Sequence, residues 1–201
     1  MKVGETMFEN KMIIKFLKKN HNYITTNELE SLGIDKRDIP KYIDNGTIKR
    51  VYHGIYMNPN IMEDEYYIIQ MRYPSAIFSY NTAFHILNIT NMTPSKIDIT
   101  SVRGKSIRGN YNIHYVSKEK YNLGIITVES PFGNPVKIYN AERTICDMLK
   151  SDNEFDLELQ NRILNNYFKS KNKNIKLLEE YSKKLGVYEK VNTVIEVMMK
   201  W

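Results

Sequence analysis

The chain has 201 residues, 42% of them hydrophobic and 26% charged, proportions of a soluble globular protein with room for one large domain or two small ones. A formal net charge of +6 and a pI near 9.1 suit a polyanionic partner without requiring one. The single cysteine, Cys146, excludes an intrachain disulfide framework and a Cys-rich zinc site, and no apolar run reaches the roughly eighteen residues of a membrane span.

Acids interrupt the opening MKVGETMFENKMII, so no secretory signal is expected and the cytoplasm is the expected compartment. Counting Lys and Arg against Asp and Glu, residues 1–57 carry 10 against 7, residues 58–138 carry 8 against 6, and residues 139–201 carry 11 against 10. The basic excess therefore lies in the first two thirds. Two stretches there hold cations with few acids and form the candidate anion-facing surfaces: Lys36 to His53, and the loop SVRGKSIRGN with Arg103, Lys105 and Arg108.

In chain order, a first helix is expected from Glu5 to Lys19, because Ile13, Phe16 and Leu17 recur at helical spacing. Thr25 and Glu28 form a capping-box pattern that opens a short helix ended by Gly33. Asp35 can cap a third helix reaching Asn45, with Gly46 as its stop. On it Ile39, Tyr42 and Ile43 share one face, which leaves Arg37, Lys41 and Asp44 on the other. Pro40 disturbs this assignment, since a helix starting directly after Asp35 would hold proline beyond its first turn; the helix is expected to start later or bend.

A hairpin follows, Ile48 to Tyr52 and Ile55 to Met57, too small to be stable alone. Helix, short helix, glycine turn, helix and hairpin is the order of a winged helix-turn-helix, in which the third helix enters the major groove and the wing lies along the backbone. On this reading Lys49, Arg50 and His53 meet phosphates, and Lys36, Arg37 and Lys41 reach base edges. The bland alternative is a protein-interaction module with a solvated basic face.

Beyond Asn58 a helix is expected over Glu63 to Tyr73, ended by Pro74. The acids Glu63, Asp64 and Glu65 suit its N-terminal turn better than a metal site. Ala76 to Tyr80 reads as a strand, Thr82 to Leu87 as a short helix, and KIDIT, YNIHYVS, GIITVES and PVKIYN as strands of a small antiparallel or mixed sheet. Four helices close the chain: Ala141 to Lys150 behind an Asn140 cap, Phe155 to Lys169, Ile175 to Leu185, and Tyr188 to Trp201. The expected fold is α+β, with an N-terminal winged helix over residues 1–57 and an α+β domain over 58–201.

Nothing in the sequence assembles a catalytic set. His21, His53, His85 and His114 are scattered without metal-ligand spacing, Cys146 reads as a buried thiol, and neither a Walker loop nor a GxSxG elbow occurs. Asp98 with Lys105, or with Glu119 and Lys120, is a conceivable nuclease cluster, but the acid-x-Lys pair on a strand is missing. No catalytic residue, cofactor or metal is expected.

Three stretches carry a family resemblance: GTIKRVYHGIY, with Gly46, Ile48, Arg50, Val51, Gly54, Ile55 and Tyr56; SYNTAFHIL, with Ser79, Thr82, Ala83 and Leu87; and AERTICDML, with Ala141, Glu142, Arg143, Thr144 and Asp147. In these the chain resembles the AbiEi family of antitoxins from type IV abortive-infection toxin-antitoxin systems. The resemblance implies a repressor that binds inverted repeats in its own promoter. It also implies a C-terminal domain that counters a nucleotidyltransferase-like toxin, whose own G-S-x-D-x-D motif is absent here. The alternatives are a metal-dependent nuclease targeted by its winged helix and a stand-alone regulator without a toxin.

Overall fold

The structure is a computed structural model that describes residues 3–151 and 155–199. It is α+β and divides into two compact units, one formed by residues up to Arg72 together with Phe132–Asn134, the other by Tyr73–Pro131 and the chain from Pro135 onward.

In the first unit, α1 (Val3–Lys19) buries Ile13 and Leu17. It ends where His21 and Asn22 turn left-handed, at φ 52° and 64°, which lets the Asn22 N–H donate to the Leu17 carbonyl at 2.8 Å. Asn tolerates this conformation by bonding locally. The next three residues form β1 (Tyr23–Thr25), a strand that the sequence reading did not contain.

The expected capping box is present at the start of α2 (Thr26–Ser31): Thr25 Oγ1 accepts from the Glu28 N–H at 3.3 Å, and Glu28 Oε2 accepts from the Thr25 N–H at 2.7 Å. Asp35 caps only a 3₁₀ turn, Lys36–Asp38. The α-helix proper, α3 (Ile39–Asp44), begins after it, with Pro40 in its first turn where the missing N–H has no partner to lose. The later start is how the chain accommodates Pro40. α3 buries Ile39 and Tyr42 as expected, and the Tyr42 hydroxyl donates to Glu9 Oε2 at 2.5 Å, tying α3 to α1. Burial, and then the Glu9 carboxylate, push this phenol's pKa up.

The hairpin β2 (Lys49–Tyr52) and β3 (Ile55–Met57) turns at Gly54, where φ is +74° and a Cβ would press on Thr26 Oγ1 at 3.3 Å. β3 pairs antiparallel with β2 on one side and β1 on the other. Tyr56 joins the cluster of Ile13, Leu17, Ile24, Leu29, Ile39 and Tyr42 on one face of this sheet. On the other face Tyr23, Ile55 and Met57 pack against Ile68 of α4 (Glu65–Arg72). That helix, which the sequence reading set at the start of the second domain, is thus part of the first compact unit. Asp64 caps it, accepting from the Tyr67 N–H at 3.1 Å and from Asn134 Nδ2 at 2.7 Å.

The second unit is built on a five-stranded mixed sheet in the order β6-β5-β4-β8-β7. Its strands are β4 (Ile77–Phe78), β5 (Asp98–Val102), β6 (Asn112–Val116), β7 (Ile125–Glu129) and β8 (Pro135–Tyr139). β4 runs antiparallel to β5 and parallel to β8, so the shortest strand lies at the centre, wholly buried. The helices α5 (Tyr80–Ile86), α6 (Lys118–Tyr121), α7 (Ala141–Lys150), α8 (Leu157–Lys169), α9 (Ile175–Leu185) and α10 (Tyr188–Met199) complete it. Their apolar faces gather Phe84, Ile145, Met148, Ile163, Tyr167, Leu178 and Val191 into one core. Lys200 and Trp201, expected in the last helix, lie outside the described residues. α6 was not foreseen.

Candidate nucleic-acid interface

Of the five Lys and Arg residues from Lys36 to Arg50, four pair with acids. Lys36 Nζ lies 3.2 Å from Glu30, Lys41 Nζ 2.5 Å from Asp38, and Lys49 Nζ 2.5 Å from Glu63. Arg37 holds Asp35 with two parallel bonds, Nε to Oδ1 at 3.0 Å and Nη2 to Oδ2 at 2.7 Å, while its own N–H donates to the same carboxylate at 2.9 Å. These hydrogen bonds hold the Asp35 carboxyl well below the usual carboxylate range. All four pairs are solvent-exposed, with the Arg37 side chain 88% accessible. Such pairs are weak in water and exchange readily for another anion. The stretch from Lys36 to His53 reads in sequence as cations with few acids, yet each of these four finds one, two to fourteen positions away along the chain.

Arg50 and His53 differ. Both are exposed, and among the described residues neither has a side-chain partner. His53 and Lys36 line one small cleft of about 300 Å³ with Thr25, Thr26, Asn27 and Gly54, so the hairpin turn and the 3₁₀ turn before α3 meet beside the start of α2.

In the second unit Arg103, Lys105 and Arg108 stand on the loop between β5 and β6, all exposed and none ion-paired among the described residues. Buried Ile107 anchors the loop, and the Tyr73 hydroxyl braces it by accepting from the Arg108 N–H at 3.1 Å and donating to the Arg108 carbonyl at 2.8 Å. Arg103 and Lys105 line an open cleft of about 510 Å³ with Gly104, Ser106 and Tyr115. Tyr115, 44% exposed, was not singled out in the sequence. The burial of β6 has no period of two to signal it; Tyr115 comes beside the basic loop through the parallel pairing of β6 with β5.

The residues considered for catalysis do not converge. Asp98 is buried and bonded across the strands, its Oδ1 accepting from Asn112 Nδ2 at 3.2 Å and lying 3.1 Å from His114 Nε2. The His114 ring in turn stacks on Tyr80 at 3.9 Å. Glu119 and Lys120 line a separate cleft with Asn122, Leu123 and Lys184. Among the described residues no group of three or more His, Cys, Asp or Glu side chains is placed to hold a metal ion, and no helix is long and apolar enough to cross a membrane.

The motif AERTICDML is interior. Arg143 is fully buried in α7, its Nε donating to Asp147 Oδ2 at 2.8 Å and its Nη1 to the carbonyls of Lys120 and Leu123 at 2.5 and 2.9 Å, with the guanidinium 4.2 Å from the Tyr139 ring centre. Gly124 makes room for it: a Cβ there would fall 2.6 Å from Arg143 Cβ, and its φ of +82° excludes most side chains besides. Cys146 is buried next to this group, and burial pushes its thiol up to about 12. A maleimide should therefore leave Cys146 unlabelled at pH 8 in the folded protein and react at once in urea. Rapid labelling without denaturant would contradict the packing of α7.

Among solved structures, the crystal structure of the RV2827C protein from Mycobacterium tuberculosis matches 94% of this chain and 81% of its own, at 9% identity and a TM-score of 0.53, a likeness of fold. No curated protein sequence matches. Residues 11–59 match the AbiEi antitoxin family of transcriptional regulators. The AbiEi segment runs from within α1 past β3 and holds every cation from Lys36 to His53. The motif GTIKRVYHGIY falls inside it, where Ile48, Ile55 and Tyr56 are core residues and Lys49, Arg50, Tyr52 and His53 are exposed. SYNTAFHIL and AERTICDML fall outside the AbiEi segment and serve the core of the second unit.

Proposed function

We propose that the chain is a DNA-binding autorepressor and antitoxin of a type IV, abortive-infection toxin-antitoxin operon, active in the cytoplasm and without catalysis. One observation carries this reading: the segment that matches a family of transcriptional regulators also presents a basic hairpin beside a 3₁₀ turn that carries exposed Lys36 and Arg37 ahead of α3.

In this reading residues 1–57 work as a winged helix-turn-helix. The 3₁₀ turn and α3 enter the major groove, with Lys36, Arg37 and Lys41 toward the bases, while Lys49, Arg50 and His53 on the wing meet phosphates. Because four of these cations already hold carboxylates, docking exchanges Glu30, Asp35, Asp38 and Glu63 for phosphate oxygens. Arg103, Lys105 and Arg108 add a second phosphate-facing surface. Residues 58–201 counter a nucleotidyltransferase-like toxin. The operator is an inverted repeat in the protein's own promoter.

A gel shift at physiological salt is the test, with duplex from upstream of the gene against random duplex of the same length. Preference for the upstream duplex is the expected result, weakening steeply with salt. Equal affinity for both would sink the repressor reading.

A further inference from the structure

A bulge decides what the hairpin shows on each face of the three-stranded sheet. Directly opposed residues on paired strands share a face. Arg50, opposite Tyr56, therefore lies on the side packed by α1–α3, while Tyr52, opposite Ile55, lies on the side packed by α4. In an unbroken strand these two side chains, two positions apart, would point the same way. The extra residue Val51 sends Tyr52 to the other side.

There the Arg72 guanidinium, from the end of α4, lies over the Tyr52 ring with its carbon 3.5 Å from the ring centre. Tyr52 nevertheless stays 42% exposed, next in sequence to the exposed His53 of the turn. A large aromatic held by a planar cation loses little freedom when it makes a further contact, which is the condition for a contact that adds affinity.

Resting on the reading of this unit as a reader of duplex DNA, we propose that Tyr52 is a further backbone contact of the wing. Its ring packs on a deoxyribose and its hydroxyl donates to a phosphate oxygen. Arg72 is its positioning residue. A tyrosine hydroxyl is a common donor to the phosphate backbone, and such a contact fixes register without reading sequence. Arg50 on one face and Tyr52 on the other then let the hairpin bind the backbone from both sides.

The experiment is anisotropy titration of the full chain on a labelled duplex over a range of salt concentrations, with thermal melts of each variant. Tyr52→Ala should weaken binding about three- to tenfold on specific and random duplex alike, with the salt slope unchanged because no charge is removed. Tyr52→Phe, which keeps the fold, should lose part of that. Arg72→Lys keeps the charge and loses the planar stack, so it should weaken binding at an unchanged salt slope and add nothing in the Tyr52→Ala background. Additive losses would overturn the positioning role of Arg72. Full affinity in Tyr52→Ala and Tyr52→Phe, with Arg50→Ala weakened, would overturn the Tyr52 assignment and leave the DNA reader standing. Failure of the unaltered protein to bind duplex would overturn both.

Discussion

Arg143→Ala should destabilise the second unit by about 3–5 kcal/mol, the usual cost of removing one partner of a buried ion pair. The loss is large because the guanidinium does three things at once: it neutralises Asp147, satisfies the carbonyls of Lys120 and Leu123, and packs on the Tyr139 ring. Burial already holds the Asp147 carboxyl above its ordinary range against the pull of Arg143. In the variant that pull is gone and the carboxyl is driven further up. The folded state then keeps a proton that the unfolded chain gives up near the ordinary carboxylate pKa of about 3.9, so stability falls as pH rises above that value. Urea unfolding of wild type and variant should accordingly show a larger deficit at pH 8 than at pH 5. A loss under about 1 kcal/mol, or a deficit that grows on acidification, would mean that Arg143 and Asp147 are not a buried pair. Restoring shape without charge, as Arg143→Met with Asp147→Leu, should recover much of the stability.

What the sequence made legible was local. The Thr25–Glu28 capping box, the Gly33 turn and the Asn140 cap placed α2 and α7 well, because each of these signals acts within one or two turns of chain. Pro40 correctly marked a fault in the third helix, and the outcome was a 3₁₀ turn ahead of a late start. β1 was missed because three residues carry no periodicity, and it exists as a strand only through pairing with β3. The second miss bears on the site. Lys49 has no acid beside it in sequence, yet the chain brings Glu63 to it, and the bulge at Val51 that separates Arg50 from Tyr52 has no local signature at all. Pairings set by tertiary structure are invisible to a count of charges along the chain.

The loop between β5 and β6 should therefore matter more to DNA affinity than its place outside the matched residues 11–59 suggests. Its three cations are exposed and unpaired among the described residues, whereas Lys36, Arg37, Lys41 and Lys49 must first release a carboxylate. Each phosphate neutralised contributes about −0.9 to the slope of log affinity against log salt, so Arg103→Ala, Lys105→Ala and Arg108→Ala combined should flatten that slope by about 2.7 if all three reach the backbone. Affinity at low salt should fall about 10- to 100-fold, equally on operator and random duplex, because phosphate contacts carry no sequence information. Glu63→Gln should do the reverse. It frees Lys49 without removing a cation, and both duplexes should bind more tightly. Anisotropy titrations across a salt series measure all of these together. An unchanged slope in the triple variant, beside a clear loss in Arg50→Ala, would confine DNA contact to the first unit and leave the loop for the toxin or for another anion.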